Sequence, residues 1–250
     1  MDLSDLLAAA ERAALRGGRI VQQARAAREM GEVRAKGAGD YVTAVDRASE
    51  DAIRSELAVT GISVVGEEGG GDGGGGRHWL VDPLDGTANF VHGFPLVGVS
   101  IALIEDGRPV VGVVHAPLLG ETWAAARGLE PGFRVSDRPV ERAIVATGFP
   151  FRRKEALPRY LRAFGAALGR FEDLRRPGAA SLDLAWVASG VFEGFFELGL
   201  APWDVAAGAL LIEEAGGMVT DWEGGDGWLS GDILAGTPAV HEELVRLVGG

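Results

Sequence analysis

The chain has 250 residues and a formal net charge of −12, with 47% hydrophobic, 7% aromatic and 24% charged residues. These shares are typical of a folded globular protein and exclude a disordered or fibrous chain. The absence of cysteine excludes disulfides and thiolate ligands, so any metal ion would be held by oxygen or histidine. The acidic balance argues against direct binding to nucleic acid or to anionic membranes, because such binding depends on basic patches.

The first 18 residues have an amphipathic helical pattern that carries both acids and bases, unlike a signal peptide. Farther along, no run approaches the roughly 20 apolar residues that cross a bilayer. We therefore expect a cytoplasmic protein with no membrane partner.

Two helices are predicted at the start of the chain, over residues 3–30 and Asp46–Leu57, from apolar residues at helical spacing. Short β-branched or aromatic runs at Ile62–Val65 and Trp79–Val81 predict strands. The glycine-rich segment Gly69–Gly76 between them is expected to be a mobile connector.

Residues 97–117 predict two strands joined at a turn of Asp106 and Gly107, and residues 121–128 predict a third. Antiparallel strands after two helices indicate an α+β domain over residues 1–140, which carries most of the candidate metal ligands. From Ala143 short strands alternate with predicted helices near residues 155–169, 179–190 and 203–215. Residues 141–250 are therefore predicted to form an α/β domain.

The most informative motif is DPLDGT, residues 82–87, which follows a predicted buried strand. Because proline and glycine are expected to end the strand, Asp82 and Asp85 would lie on a turn. A helix that begins just afterwards would present the backbone N–H groups of Gly86 and Thr87 to a phosphate, beside a cation held by the two aspartates. For an isolated pair of acids, an N-capping turn is the alternative.

Two other segments place acids at the ends of predicted core elements. Glu67 follows a strand in the motif GEE, and Asp204 lies in the first turn of an apolar helix, where it could instead only stabilise the helix dipole. Four carboxylates from three segments form a ligand set suited to Mg²⁺. Two such ions about 3.5–4 Å apart can provide hydroxide near neutral pH and stabilise the leaving oxygen of a phosphoryl displacement.

The motifs GEE, DPLDGT with NFVHGFP, and WDVAAG with EAGG resemble those of the inositol monophosphatase family in order and spacing over nearly the whole chain. The resemblance implies a layered αβαβα sandwich and dependence on two or three Mg²⁺ ions per site. It also implies sensitivity to lithium, as in many members, and a homodimer.

The resemblance also assigns metal ligands by position. Glu67, Asp82 and the Leu84 carbonyl would hold a first ion, while Asp82, Asp85 and Asp204 would surround a second. A third, weaker ion would share Glu67. Two departures from the family pattern are Gly69, where a serine or threonine often follows GEE, and Phe149, where some members have a polar residue.

Catalytic and substrate-binding roles follow from the same resemblance. The segment Lys36–Asp46 is similar to the family's early segment, in which Asp46 bonds Thr87 so that the pair orients the attacking water, with Glu67 as a further catalytic residue. Glu197 would accept hydrogen bonds from substrate hydroxyls, although without the resemblance it could equally be a solvated charge. The remaining predicted substrate contacts are Asp85, Gly86, Thr87 and Ala180. Ser181 and Asp183 are expected to be caps and local hydrogen-bond partners.

The combined prediction is Mg²⁺-dependent hydrolysis of a phosphate monoester of a small polyol or sugar, with inositol 1-phosphate as the leading substrate. Fructose 1,6-bisphosphate, NADP, histidinol phosphate and 3′-phosphoadenosine 5′-phosphate remain open. A hypothesis from another class is a regulatory binding protein, since bacterial relatives of the family take part in transcription complexes.

Overall fold

The computed structural model of the chain describes residues 1–28, 33–37, 40–71 and 76–249, without the side chains of residues 35–37, 40 and 249. In these ranges the α-helices are α1 (Leu3–Ala27), α2 (Ala44–Leu57), α3 (Thr87–His92), α4 (Leu157–Arg170), α5 (Ala180–Ala188), α6 (Pro202–Glu214) and α7 (Pro238–Gly249). The strands are β1 (Val33–Gly37), β2 (Asp40–Thr43), β3 (Val64–Gly66), β4 (Arg77–Asp85), β5 (Gly98–Glu105), β6 (Arg108–Ala116), β7 (Glu121–Ala126), β8 (Ile144–Thr147), β9 (Asp173–Arg175), β10 (Gly194–Glu197), β11 (Met218–Thr220) and β12 (Ile233–Gly236). None of these described helices has the length and apolarity needed to span a membrane.

Two five-stranded sheets organise the chain. The first has the order β3-β4-β5-β6-β7, in which β3 pairs parallel to β4 and the other pairs are antiparallel. The second has the order β11-β12-β10-β8-β9 and is mixed, with β8, β9 and β10 parallel. A separate antiparallel pair joins β1 to β2.

The first sheet is covered by helices on both faces because its side chains alternate between them. Trp79 and Val81 of β4 pack into an apolar cluster with α1 and α2. Leu80, between them in sequence, packs on the opposite face against α5 and α6. α5 and α6 are almost entirely buried, as expected for helices enclosed by a sheet on each side.

The second sheet separates this central layer from an outer one. Phe195 of β10 faces α5 and α6, whereas the adjacent Phe196 faces α4 and α7. The layers are therefore helix, sheet, helix, sheet, helix, which confirms the predicted αβαβα sandwich. The largest apolar cluster contains residues from both halves of the chain, and the division into domains of residues 1–140 and 141–250 stays a prediction.

Most predicted elements are present, with different boundaries. α2 begins two residues earlier than predicted because Thr43 caps it, accepting from the backbone N–H groups of Val45 and Asp46. The predicted hairpin between β5 and β6 is confirmed, with positive φ at both Asp106 and Gly107. Residues 72–75 of the predicted glycine-rich connector lie outside the described residues.

The prediction that Pro83 ends the strand after Asp82 is wrong. β4 continues to Asp85, and its register against β5 shifts between Asp82 and Asp85. Such an irregularity tolerates a proline, which has no N–H for the ladder. The two acids therefore project from a distorted strand end, and Gly86, at φ 84°, leads into α3.

Candidate active site

A cleft of about 340 Å³ opens where the distorted end of β4 meets the first turns of α5 and α6 and the end of β10. Predicted site residues from five separate segments reach it. Those that line the cleft are Glu67, Asp82, Leu84, Asp85, Gly86, Thr87, Ala180, Glu197 and Asp204. The structure thus brings them to one place, while their individual roles stay predictions.

Three of these acids form a compact group. One carboxylate oxygen from each of Asp82, Asp85 and Asp204 lies within 4.8 Å of the other two. Asp82 and Asp204 are almost fully buried, at 2% and 6% exposure. Three anions held this close and this deep repel one another strongly unless a cation or protons neutralise them.

Backbone N–H groups fix the direction of each acid. The N–H of Leu84 donates to Asp82 Oδ1 at 2.9 Å, and that of Ala201 donates to Asp204 Oδ2 at 2.8 Å. Asp204 therefore holds the start of α6, where it can also stabilise the helix dipole as the alternative proposed, and it faces the other two acids. The cap and the cleft position are compatible.

Asp85 is held by α5, from the other half of the chain. Its Oδ2 accepts hydrogen bonds from the backbone N–H of Ser181 at 2.7 Å and from the Ser181 hydroxyl at 2.6 Å. The expectation that Ser181 serves as a local partner was wrong, because its hydroxyl reaches across the fold. Asp183, two residues farther along α5, is buried, and its Oδ1 has no hydrogen-bond partner among the described residues.

Burial raises the pKa of all three acids, and repulsion from neighbouring carboxylates adds to this effect at Asp82 and Asp204. Burial, followed by the charges of Glu67 and Asp85, raises the pKa of Asp82 well above its ordinary value. Burial raises the pKa of Asp85 despite its two bonds from Ser181. Burial and the charge of Asp85 raise the pKa of Asp204 to about 7.

This donor set fits a hard divalent cation. Carboxylate oxygens are the ligands that Mg²⁺ prefers, and a bound cation would offset the repulsion that helps to raise the pKa values of Asp82 and Asp204. The group that meets the 4.8 Å distance does not include Glu67. Glu67 instead lines the cleft beside the three aspartates, and its charge raises the pKa of both Asp82 and Asp204.

Thr87 and Asp46 lie next to the acids. The Thr87 hydroxyl is 3.0 Å from Asp46 Oδ1 and also 3.0 Å from the carbonyl oxygen of Leu84. Asp46 is 1% exposed, and its Oδ2 accepts from the Thr43 N–H at 2.8 Å. Burial raises the pKa of Asp46, an effect that the bonds from Thr43 and Thr87 oppose.

Glu197 occupies the opposite wall of the cleft at the end of β10. Its carboxylate packs so closely on Gly148 that a Cβ there would come within about 2.0 Å of it. Burial and the charge of Asp204 raise the pKa of Glu197 to about 8, although Arg176 lowers it. The carboxylate can accept or donate a hydrogen bond near neutral pH, according to its protonation.

Two arginines in the cleft were missed by the sequence analysis. Arg152 Nη1 lies 3.9 Å from Asp204 Oδ2. The Arg176 guanidinium lies over the rings of Phe149 and Phe151, at 5.3 and 5.4 Å from their centres. The only available signal was that Arg152 follows GFPF and Arg176 precedes the predicted substrate segment at Gly178. Both cations balance part of the negative charge of the cleft.

Comparison with known proteins places this site in a family. The model of the inositol monophosphatase family matches residues 2–249. The Nus factor SuhB of Pseudomonas aeruginosa is 42% identical, over 98% of this chain and 96% of that protein.

Solved structures agree with the sequence relatives. The extragenic suppressor protein suhB of Bartonella henselae is 36% identical with a TM-score of 0.91, over 98% of both chains. The inositol monophosphatase of Anabaena (Nostoc) sp. PCC 7120 is 33% identical with a TM-score of 0.88, over 100% of this chain and 97% of that one. The chain therefore belongs to the inositol monophosphatase family, whose members are Mg²⁺-dependent and act on small phosphorylated substrates.

Proposed function

We propose that the chain is a phosphomonoesterase that uses Mg²⁺ to hydrolyse the phosphate ester of a small polyol or sugar, with inositol 1-phosphate as the leading substrate. The observation that carries the proposal is the group of Asp82, Asp85 and Asp204, with oxygens within 4.8 Å of one another at a cleft. A merely structural role for three buried acids would leave their repulsion without compensation.

The residues of the cleft have different proposed roles. Asp82, Asp85 and Asp204, with Glu67 and the Leu84 carbonyl, would hold two or three Mg²⁺ ions. When bound, these ions supply charge neutralisation and make hydroxide available near neutral pH. Thr87 and Asp46 orient the attacking water, and Asp85, Gly86 and Thr87 contact the phosphate.

The opposite wall recognises the leaving group. Glu197 accepts hydrogen bonds from hydroxyls of the polyol, and Ala180 lies against its carbon skeleton. The cleft volume of about 340 Å³ is at the lower end of the range for small-molecule sites. A small polyol or sugar phosphate suits this volume better than the larger dinucleotide NADP.

Phosphate release from a substrate panel tests the proposal directly. The panel contains inositol 1-phosphate, fructose 1,6-bisphosphate, histidinol phosphate, NADP and 3′-phosphoadenosine 5′-phosphate, each assayed across a Mg²⁺ titration. We expect turnover that requires Mg²⁺, stops in excess EDTA and is inhibited by Ca²⁺, whose longer and looser coordination misplaces the reacting groups.

Matched variants identify the site in the same assay. Asp204→Asn removes one charge from the cleft and is expected to abolish most turnover. Asp226→Asn is a suitable control because Asp226 is an exposed acid paired with Arg108, and its turnover should equal that of the wild type. Full activity of the wild type in EDTA, or of Asp204→Asn at low Mg²⁺, would contradict the proposal.

The finer properties belong to the same proposal. We expect inhibition by lithium, a homodimer and a cytoplasmic location, in keeping with the family resemblance. Lithium sensitivity is tested by inhibition of phosphate release by LiCl but not by KCl. The homodimer is tested by sedimentation at twice the chain mass.

A second role is favoured by one observation, the name Nus factor carried by a relative that is 42% identical over nearly the whole chain. This role would be regulatory binding to a protein partner, since the net charge of −12 disfavours direct contact with nucleic acid. A pull-down with the inactive Asp204→Asn variant separates the roles: a partner retained by this variant supports binding independent of catalysis, and capture of nothing specific counts against it.

A further inference from the structure

We propose that Glu50 and Arg54 of α2 are positioning residues that clamp the loop Gly66–Gly70 and so set how tightly the site binds Mg²⁺. The loop carries Glu67, whose role as a metal ligand belongs to the proposed function, and the inference rests on that function to this extent. Neither residue touches the cleft, and neither was predicted from the sequence.

The Glu50 carboxylate is the centre of the clamp. It is 2% exposed, and its oxygens accept from the backbone N–H groups of Glu68 and Gly69, each at 2.9 Å. These are the two N–H groups that directly follow Glu67. Removal of the carboxylate leaves both donors without their acceptor, which frees the backbone on one side of Glu67.

Arg54 completes the clamp from one turn farther along α2. Its Nε donates to Glu50 Oε1 at 2.8 Å, which orients the carboxylate. Its Nη1 donates to the Val64 carbonyl at 2.8 Å and its Nη2 to the Gly70 carbonyl at 2.6 Å. One planar guanidinium therefore joins the strand before the loop to the last residue of the loop.

The other side of Glu67 is held by the sheet. Its backbone N–H donates to the carbonyl of Val81 at 3.1 Å, one residue before Asp82. The N–H of Gly66 closes the loop on the Gly70 carbonyl at 3.0 Å. Glu67 is thus fixed between β4 and the Glu50 carboxylate, and a shift of the loop would move it relative to Asp82.

The close packing of the loop Gly66–Gly70 against Glu50 also supports the clamp. A Cβ on Gly66 or on Gly69 would come within 2.4 or 2.5 Å of the Glu50 carboxylate. The carboxylate therefore occupies the space that side chains at these two positions would need. In this conformation a side chain at position 69, where a serine or threonine is frequent in the family, would require the Glu50 carboxylate to move.

The chain offers a matched control for a buried glutamate paired with an arginine. Glu193 is 0% exposed, accepts from the Ile144 N–H at 2.7 Å and pairs with Arg138. It precedes β10, whereas Glu197 of the cleft ends that strand. Glu193→Gln disturbs a comparable buried pair at the end of the strand away from the cleft.

The experiment compares Glu50→Gln, Arg54→Lys and Glu193→Gln with the wild type by three measurements. Calorimetry gives the Kd for Mg²⁺, NMR gives the exchange rates of the Glu68 and Gly69 amides without metal, and thermal melting gives stability. We expect Glu50→Gln to raise the Kd by roughly 10–100-fold, the usual effect of losing a group that orients a metal ligand, and to speed exchange of both amides. Arg54→Lys should raise the Mg²⁺ Kd and speed exchange of the two amides by smaller amounts.

Glu193→Gln should lower the melting temperature while leaving the Mg²⁺ Kd and the two amides unchanged. A wild-type Kd in Glu50→Gln would overturn the inference, as would an equal loss of Mg²⁺ affinity in Glu193→Gln, which would mean that destabilisation alone is responsible. Mg²⁺ binding and phosphate release are measured separately. A wild type that binds Mg²⁺ but releases no phosphate refutes the proposed function, whereas the Mg²⁺ Kd of the variants still tests the clamp.

Discussion

At the scale of single residues, the Thr87 hydroxyl has one proton and two acceptors, Asp46 Oδ1 and the Leu84 carbonyl, each at 3.0 Å. A charged acceptor forms the stronger hydrogen bond, so the proton belongs to Asp46 when that carboxylate is ionised. The lone pairs of the hydroxyl oxygen then remain available to accept from a water molecule. Under the proposed function, Asp46 would fix the threonine and the threonine would orient the attacking water.

We predict that Thr87→Ala and Asp46→Asn each lower kcat by roughly 10²–10⁴-fold, the range of positioned acid–base groups, with little change in KM for the substrate. Because both residues act on one water, the double variant should be hardly slower than the slower single variant. Steady-state kinetics of the three variants at saturating Mg²⁺ are the measurement.

Thr87→Ser is the control for this pair because it keeps the hydroxyl, and its kcat should stay near that of the wild type. If the two losses multiply in the double variant, Asp46 and Thr87 act separately. If Asp46→Asn weakens Mg²⁺ binding at normal kcat, Asp46 supports the metal ligands instead.

The residues whose position in the cleft could be predicted from sequence are those that belong to a local motif. Asp82, Asp85 and Asp204 each lie in a recognisable string, near a boundary that the sequence predicts between elements. Arg152 and Ser181 could not be assigned in the same way, because their contacts with the acids depend on how distant segments pack. Glu50 and Arg54 occupy ordinary i, i+4 positions on a helix, where an ion pair is common, and nothing local indicates that the pair holds the next loop.

At the scale of elements, the first turn of α5 is bonded to Asp85 at the end of β4. Ser181 supplies two donors to one oxygen of Asp85, from its backbone and from its side chain. The β4 strand end and the α5 helix start are thereby connected through a single carboxylate. The position of Asp85 therefore depends on an element from the other half of the chain.

We predict that Ser181→Ala raises the Mg²⁺ concentration needed for half-maximal activity by roughly tenfold, in the range found when a group that orients a metal ligand is lost. The effect should be smaller than that of Asp85→Asn because the backbone N–H still bonds Asp85. Activity and calorimetric Mg²⁺ binding are measured together. Ser189→Ala is the matched control, since Ser189 follows the same helix and its hydroxyl donates locally to the Ala185 carbonyl.

A Ser189→Ala variant as impaired as Ser181→Ala would show that any loss in this region perturbs the site.

The boundaries of the helices and strands were less predictable from the sequence than their existence. β4 was expected to end at Pro83, but the shift of register between Asp82 and Asp85 accommodates the proline, and this depends on the neighbouring strand β5. Strand pairing of this kind has no signature in a short sequence window.

At the scale of the whole molecule, the five layers bring together acids from elements of both sheets and from the helix layer between them, and bury Asp82 and Asp204. The order of layers follows from alternating side chains in the strands and from two helices that are apolar on every side. The patterns in the sequence predicted only an α+β half followed by an α/β half, and the layered architecture was predicted from the family resemblance. The energetic cost of burying these acids in a chain of net charge −12 could not be predicted from the sequence, because it depends on the distances between their carboxylates.

Without metal, the site should destabilise the fold as the pH rises. The pKa of Asp204 is raised to about 7 by burial and by the charge of Asp85, whereas an unfolded aspartate has a pKa of about 3.9. Between these values the folded chain keeps a proton that the unfolded chain has lost. The free energy of unfolding therefore decreases as the pH rises through this window, and Asp82 and Asp85 act in the same direction.

We predict that in EDTA the melting temperature of the wild type falls between pH 5 and pH 8, and that Asp204→Asn falls less and melts higher at pH 8. A change of 1 kcal/mol corresponds to roughly 2–4 °C in a chain of this size, so scanning calorimetry resolves the difference. Mg²⁺ at about 100 times its Kd should add roughly 2.7 kcal/mol to the wild type by linkage and much less to the variant. Asp226→Asn, which removes an exposed charge, should follow the wild type in both conditions. Parallel pH profiles for the wild type and Asp204→Asn would show that repulsion in the cleft does not limit the stability of the metal-free chain.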